Sequence, residues 1–225
     1  MASRGQKFAR GQAVFHELDV TNQSENDGIV KLAKKAFGQV DVIFLNAGIM
    51  PNSPLSAMKT DDWHQMVDVN IRGVLNGVAA VLPTFIEKKA GHVIAMSSVA
   101  GLKAYPGCAV YGGTKWFVRD FMEILRMESA TEGTNIRTAT IYPAAINTEL
   151  LSTISHQGTA EGMAQLYQRY GIAPERAASH STAITCPSLR VQFNRVPTCA
   201  RITPGVSWIT LSGMTATRTA SGSRG

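Results

Sequence analysis

Tyr111 and Lys115 stand four positions apart, and Ser98 precedes the tyrosine by thirteen, within Ser97-Ser98-Val99-Ala100-Gly101 and Pro106-Gly107-Cys108-Ala109-Val110-Tyr111-Gly112-Gly113-Thr114-Lys115. A hydroxyl, a phenol and an ammonium so spaced are the parts of a proton-transfer site. If the segment from Tyr111 onward is helical, a spacing of four puts phenol and ammonium on one face, with Cβ atoms roughly 5–6 Å apart. A neighbouring positive charge favours phenolate over phenol. At about 4 Å and an effective dielectric near 20 the attraction is about 4 kcal/mol, enough to draw a tyrosine pKa from about 10 toward neutrality. That is the range in which a general acid/base works best. Each residue also has a plain alternative. Ser98 could be a helix N-cap, Tyr111 a core aromatic with a satisfied hydroxyl, and Asn70 a surface or packing amide.

The elements that must position these groups alternate along the chain. Residues 13–20 read as a strand ending in Asp19-Val20-Thr21, and Ser24 could cap a helix through Phe37 that Gly38 stops. Val40 to Asn46 is the near-continuous apolar run of a buried parallel strand. Thr60 is expected as an N-cap with Asp61 and Asp62 in the first turn, opening a helix to about Lys89 with a kink or break at Pro83. Strand 92–97, helix 111–130 and strand 136–142 follow. This order argues an α/β fold with a doubly wound parallel sheet. Ser98 would then emerge at the sheet's carboxyl edge, the usual ligand crevice of such folds.

With Asn70 lying 41 residues before Tyr111 and Asn46-Ala47-Gly48 closing an apolar strand, the chain resembles the short-chain dehydrogenase/reductase family over about residues 12–178. The resemblance implies a Rossmann-type sheet, NAD or NADP as cofactor, and a small-molecule carbonyl or secondary alcohol as substrate. It implies a catalytic set of Asn70, Ser98, Tyr111 and Lys115. Tyr111 would exchange a proton with the substrate oxygen that Ser98 holds. Lys115 would lower the tyrosine pKa and bind the ribose hydroxyls, and Asn70 would anchor a water in the proton relay. Toward the cofactor it implies Asp19 at the adenine ring with Val20 beside it, and the backbone of Asn46, Ala47 and Gly48. Pro143, Ile146 and Thr148 occupy the place of a Pro-Gly-x-x-x-Thr loop against the nicotinamide amide, with Ala144 replacing its glycine.

Residues 149–170 would form a substrate lid lined by Leu150, Leu151, Ile154, Met163, Leu166 and Tyr167, or else an ordinary amphipathic helix. Cys108 could touch substrate or merely fill space, and His156 could reach a substrate or stand solvated. In relatives the helices equivalent to 60–89 and 111–130 pair across subunits, which implies a homo-oligomer. Phe117, Phe121, Ile124 and Leu125 could serve that face or the core.

Composition narrows the function classes. The net charge of +6 arises entirely from residues 176–225, which hold six Arg and no Lys, Asp or Glu, whereas residues 1–175 hold 16 basic and 16 acidic side chains. The Arg residues are scattered and not interleaved with aromatics, which argues against nucleic-acid binding. No run of 18 apolar residues suggests a membrane span and the N-terminus shows no signal-like stretch, so a cytosolic protein is expected. Cys108, Cys186 and Cys199 show no metal spacing and fit a reducing compartment.

Two departures from the family pattern shape the expectation. The 225 residues contain no Gly-x-x-x-Gly-x-Gly turn, the element that brings backbone N–H groups to a pyrophosphate. By the family plan the first two strands are missing, which leaves strand 40–46 with an unpaired edge and the NAD-against-NADP preference unreadable. After residue 176 the pattern dissolves, so the organisation expected is an incomplete oxidoreductase domain over 1–176 and a poorly ordered Arg/Ser/Thr-rich tail over 177–225. The functional alternatives are a hydride-transferring oxidoreductase and a non-catalytic interaction or vestigial protein unable to hold the dinucleotide.

Overall fold

Apolar runs long enough to be buried on both faces build the centre of the sheet. The computed structural model describes residues 6–8 and 11–173. Within it β4 (Gly91–Met96) runs between β3 (Val42–Leu45) and β5 (Ile136–Ile141), all parallel. The register sets Leu45 opposite Ala95 and Met96 opposite Ile141, so the three strands end side by side. Ile43, Val93 and Ala95 meet Val30 and Ala33 of α1 (Gln23–Phe37), Val78, Val81 and Phe85 of α3 (Gly73–Lys88), and Val118 and Met122 of α4 (Ala109–Glu132) in one core. This is the α/β parallel architecture of a Rossmann-type domain. β3 lies at the sheet's edge. The tail expected over 177–225 lies outside the described residues.

The strand expected over 13–20 is not there. β1 (Gln6–Phe8) and β2 (Gly11–Ala13) form a separate antiparallel hairpin, and the chain from 14 to 20 joins no ladder. Side chains from the helices satisfy its end instead. The Val20 carbonyl accepts from the amides of Asn26 at 3.0 Å and Asn76 at 2.9 Å, and the Asp19 N–H donates to Glu25 at 2.7 Å. Leu18 and Val20 are buried against Ile29.

Helix starts also differ from the expected ones. Asn22, not Ser24, caps α1, its Oδ1 accepting the Ser24 N–H at 3.0 Å, while Gly38 closes the helix in the left-handed region at φ 82°. Thr60 is the first residue of α2 (Thr60–Val67), not its cap. Lys59 holds the cap position without a side-chain bond, and Asp61 and Asp62 do lie in the first turn. The helix runs through Pro83 to Lys88, and its irregularity falls earlier, in a π-helical turn at Asp68–Arg72. The continuous run Thr60–Lys88 is long and apolar enough to cross a membrane by length and composition. Here Val74, Val78, Val81 and Phe85 face the sheet.

His92 is buried in the central strand, in register with Val42 and Arg137. Burial first, and the Arg137 charge second, draw its pKa from 6.5 down to about 4. The unfolded chain therefore takes up a proton near pH 6.5 that the folded chain refuses until about pH 4. The stabilisation is complete above the unfolded value and lost as pH falls across that window. In urea titrations at successive pH values across it, His92→Gln should show a shallower acid loss than the parent, by up to one proton's slope. Identical slopes would show that His92 protonates without cost to the fold.

Candidate active site

The parallel register delivers β4's last residues to the sheet's carboxyl edge, where Ser97 and Ser98 leave the strand. Ser98 caps the short helical turn Val99–Gly101, its hydroxyl oxygen accepting the Ala100 N–H at 3.1 Å. The same side chain hydrogen-bonds the Tyr111 phenol. One side chain thus both caps the turn and meets the Tyr111 phenol.

Tyr111, Thr114 and Lys115 are buried on one face of α4, as spacings of three and four require. Lys115 Nζ donates to the Met96 carbonyl at 2.9 Å and lies 5.7 Å from the centre of the Tyr111 ring. In return the Ser97 hydroxyl donates to the Lys115 carbonyl at 2.8 Å. Gly101 permits this approach, because a Cβ there would stand 2.6 Å from the Lys115 carbonyl oxygen.

The electrostatics depart from the expected lowering of the tyrosine. Burial pushes the Tyr111 phenol up to about 12; the Ser98 hydrogen bond opposes this, and Tyr167 and Cys108 add to it. Burial also draws Lys115 from 10.5 down to about 8. The ammonium is directed at the Met96 carbonyl, and desolvation of the phenol outweighs any help it gives.

Asn70 sits in the π-turn and is buried. Its Oδ1 accepts the Ile49 N–H at 2.9 Å, and its amide donates to the Ile49 carbonyl at 3.0 Å and to Thr114 Oγ1 at 3.1 Å. Thr114 in turn donates to the Tyr111 carbonyl at 2.7 Å. Both amide hydrogens are thus spent on locking the β3 exit loop to α4. A Cβ at Gly48 would stand 3.4 Å from both Asn70 Oδ1 and Lys115 Nζ, so that loop's backbone passes directly over the pair.

The other expected residues gather at the same edge. Ala47 packs with Leu18, Val20 and Ile29, which brings Asp19 and Val20 beside the β3 exit. Asn46 is exposed, and Asp19 is exposed with Oδ1 accepting from Thr21 N–H and hydroxyl at 2.9 and 2.8 Å. The Pro143 carbonyl accepts from Val99 N–H at 3.0 Å, which seats the post-β5 loop against Ser98's turn. Ile146 bridges to Ile172, and Thr148 caps the turn Glu149–Thr153. The tie from Ile172 had no signal in the sequence, since it joins positions 26 apart without a strand pattern.

Residues 149–170 fold over this edge as a helical turn and α5 (Gln157–Tyr170). Leu150, Leu151, Ile154 and Met163 pack with Ile49, Met50, Met66 and Tyr111, while Leu166 faces out. Thr153 Oγ1 accepts the Met50 N–H at 2.9 Å, and Ser155 donates to Asp62 at 2.5 Å. His156, half-buried, caps α5, its ring nitrogen accepting the Thr159 N–H at 3.2 Å. On α4 Phe117 stacks on Phe121 and both pack on the core that holds Leu125, leaving Ile124 exposed. Among the described residues no group of three His, Cys, Asp or Glu could hold a metal ion.

The family model for short chain dehydrogenases matches residues 2–159. The chain belongs to the short-chain dehydrogenase family. It is 67% identical over 173 residues to an uncharacterized oxidoreductase of Listeria innocua, a match covering 77% of this chain and 70% of that one. A second uncharacterized oxidoreductase, from Staphylococcus saprophyticus, is 43% identical over the same shares. Among solved structures, a serine dehydrogenase complexed with NADP+ superposes with TM-score 0.63 at 31% identity, covering 74% of this chain and 68% of that one. This short-chain dehydrogenase is thus an oxidoreductase by family, with a parallel sheet like that of its solved neighbours.

Replacing Asn70 by Leu should strip partners from the buried Ile49 N–H and carbonyl and from Thr114. Unsatisfied buried groups of this kind cost roughly 1–3 kcal/mol each. The urea midpoint should fall accordingly, and a variant as stable as the parent would show that Asn70 is not the clamp.

Proposed function

We propose that this short-chain dehydrogenase interconverts a carbonyl and a secondary alcohol by hydride transfer with a nicotinamide dinucleotide, Tyr111 being the proton donor and acceptor. The observation that carries the reading is the Ser98 hydroxyl on the Tyr111 phenol with the buried Lys115 ammonium alongside, all at the sheet's carboxyl edge. A substrate oxygen reaching Tyr111 would share its proton, with Ser98 offering the second hydrogen bond. With the phenol near 12 and the ammonium near 8, both groups are protonated at neutral pH, the state suited to carbonyl reduction. Carbonyl reduction should therefore weaken as pH rises through about 8 and Lys115 loses its charge.

A dinucleotide fits the residues present at this edge. Among the described residues the Lys115 ammonium makes one hydrogen bond, to the Met96 carbonyl, and would offer its further donors to ribose hydroxyls. Gly48 leaves room for close approach beside it. Asp19 and Val20 would meet the adenine end, and Pro143, Ile146 and Thr148 the nicotinamide amide. When bound, the group supplies or accepts the hydride. The serine dehydrogenase neighbour was solved with NADP+, which supports a cofactor of this class.

The non-catalytic reading rests on the sequence's lack of a Gly-x-x-x-Gly-x-Gly turn. Calorimetric titration with NADH and NADPH separates the two: binding of either sinks the non-catalytic reading, and no binding by folded protein sinks catalysis. In an active preparation Tyr111→Phe should lose turnover by about 100-fold or more. Retained turnover would remove Tyr111 from the mechanism.

A further inference from the structure

Tyr111 has a second set of polar neighbours that proton transfer does not use. Cys108, the N-cap residue of α4, lies three residues earlier. The loop after β3 reaches the same place, Ile49 and Met50 packing with Tyr111 in one apolar cluster. Asn52 comes from the loop after β3. It is 2% exposed and donates its amide to Cys108 Sγ at 3.2 Å. Among the described residues, Asn52 Oδ1 and the hydroxyl of Ser53, itself 6% exposed, are buried without a hydrogen-bond partner. Buried polar atoms left open in this way are uncommon and call for a missing group.

The missing group can be specified. Asn52 Oδ1 only accepts, whereas Ser53 Oγ accepts and donates, and an alcohol hydroxyl can meet both. Asn52 holds Cys108, three residues before Tyr111, and Met50 of the same loop packs with Tyr111, which sets these atoms beside the reacting residue. The same loop is tied to the lid through Met50 N–H and Thr153 Oγ1, which couples access to the subsite to movement of residues 149–170.

We infer that Asn52, Ser53 and Cys108 form a polar subsite for a hydroxyl on the carbon next to the reacting carbon. The preferred substrates are then α-hydroxycarbonyls and vicinal diols over plain ketones and alcohols. The inference rests on the reading of Tyr111 as the proton donor, so its test has one arm that needs turnover and one that does not.

Hydroxyacetone and 2-butanone are near-isosteric probes that exchange a hydroxyl for a methyl. With NADH or NADPH, kcat/KM should be at least about tenfold higher for hydroxyacetone, a ratio worth about 1.4 kcal/mol, and Asn52→Leu and Ser53→Ala should each bring the ratio toward one. Equal kcat/KM values in the parent would overturn the subsite and leave the oxidoreductase reading intact. In the second arm, alkylation of Cys108 by iodoacetamide is followed by peptide mass mapping. Hydroxyacetone should slow it and 2-butanone should not, and the difference should vanish in Asn52→Leu protein shown by circular dichroism to be folded. Equal effects of the two probes in the parent would overturn the subsite even if neither ketone is reduced. Selective protection without turnover would support the subsite and count against the oxidoreductase reading.

Discussion

A buried ammonium must be hydrogen-bonded or it will not stay charged, and the Lys115 ammonium is held by the carbonyl of Met96. That one bond ties the middle of α4 to the final residue of the central strand. The Ser97 hydroxyl returns the tie on the Lys115 carbonyl, so strand end and helix are fastened twice within two residues. The approach this demands leaves no space for a side chain at Gly101. Tyr111 and Ser98 inherit their separation from the same pair of bonds, since Ser98 directly follows Ser97 and Tyr111 lies one helical turn before Lys115.

Two further fastenings build outward from that joint. Asn70 joins α4 to the β3 exit through Thr114 and Ile49, and Thr153 and Ser155 join the covering segment to Met50 and Asp62. Each uses a side chain to hold backbone from another element, which is how loops at a sheet edge are kept ordered without strands of their own. Enclosure has an electrical consequence. The burial that draws the ammonium down also drives the phenol up, so the two values move past the positions that a solvent-exposed pair would adopt.

What the sequence made legible was whatever is fixed by short-range spacing. The Ser98, Tyr111 and Lys115 set was readable because its members lie on one strand end and one helix face, and the alternation of apolar runs located β3, β4 and β5 to within two residues at each end. The failures have a common cause. Residues 13–20 look like a strand by composition, yet Asn26 and Asn76 capture the backbone there, and amides in distant helices leave no mark on the segment they hold. Ser24 is a sound cap by type, but Asn22 reaches the free N–H groups first. The tyrosine pKa was misjudged because a charge can be counted from spacing whereas burial depends on what folds over it. Tyr167 belongs to that covering segment and was expected there, whereas the His156 cap carried no local pattern.

The π-turn at Asp68–Arg72 has a consequence for how this chain can change. A π-turn holds one more residue than the α-helical turn it replaces, so it is a place where chain length is absorbed without moving either flank. Deleting a single residue there would regularise the helix with both flanks still in phase, and only the turn itself would be re-formed. Asn70 would leave the loop it grips, although Thr60 to Val67 and Gly73 to Lys88 kept every residue. A one-codon deletion in this stretch therefore spares the helix on either side and falls on the turn alone.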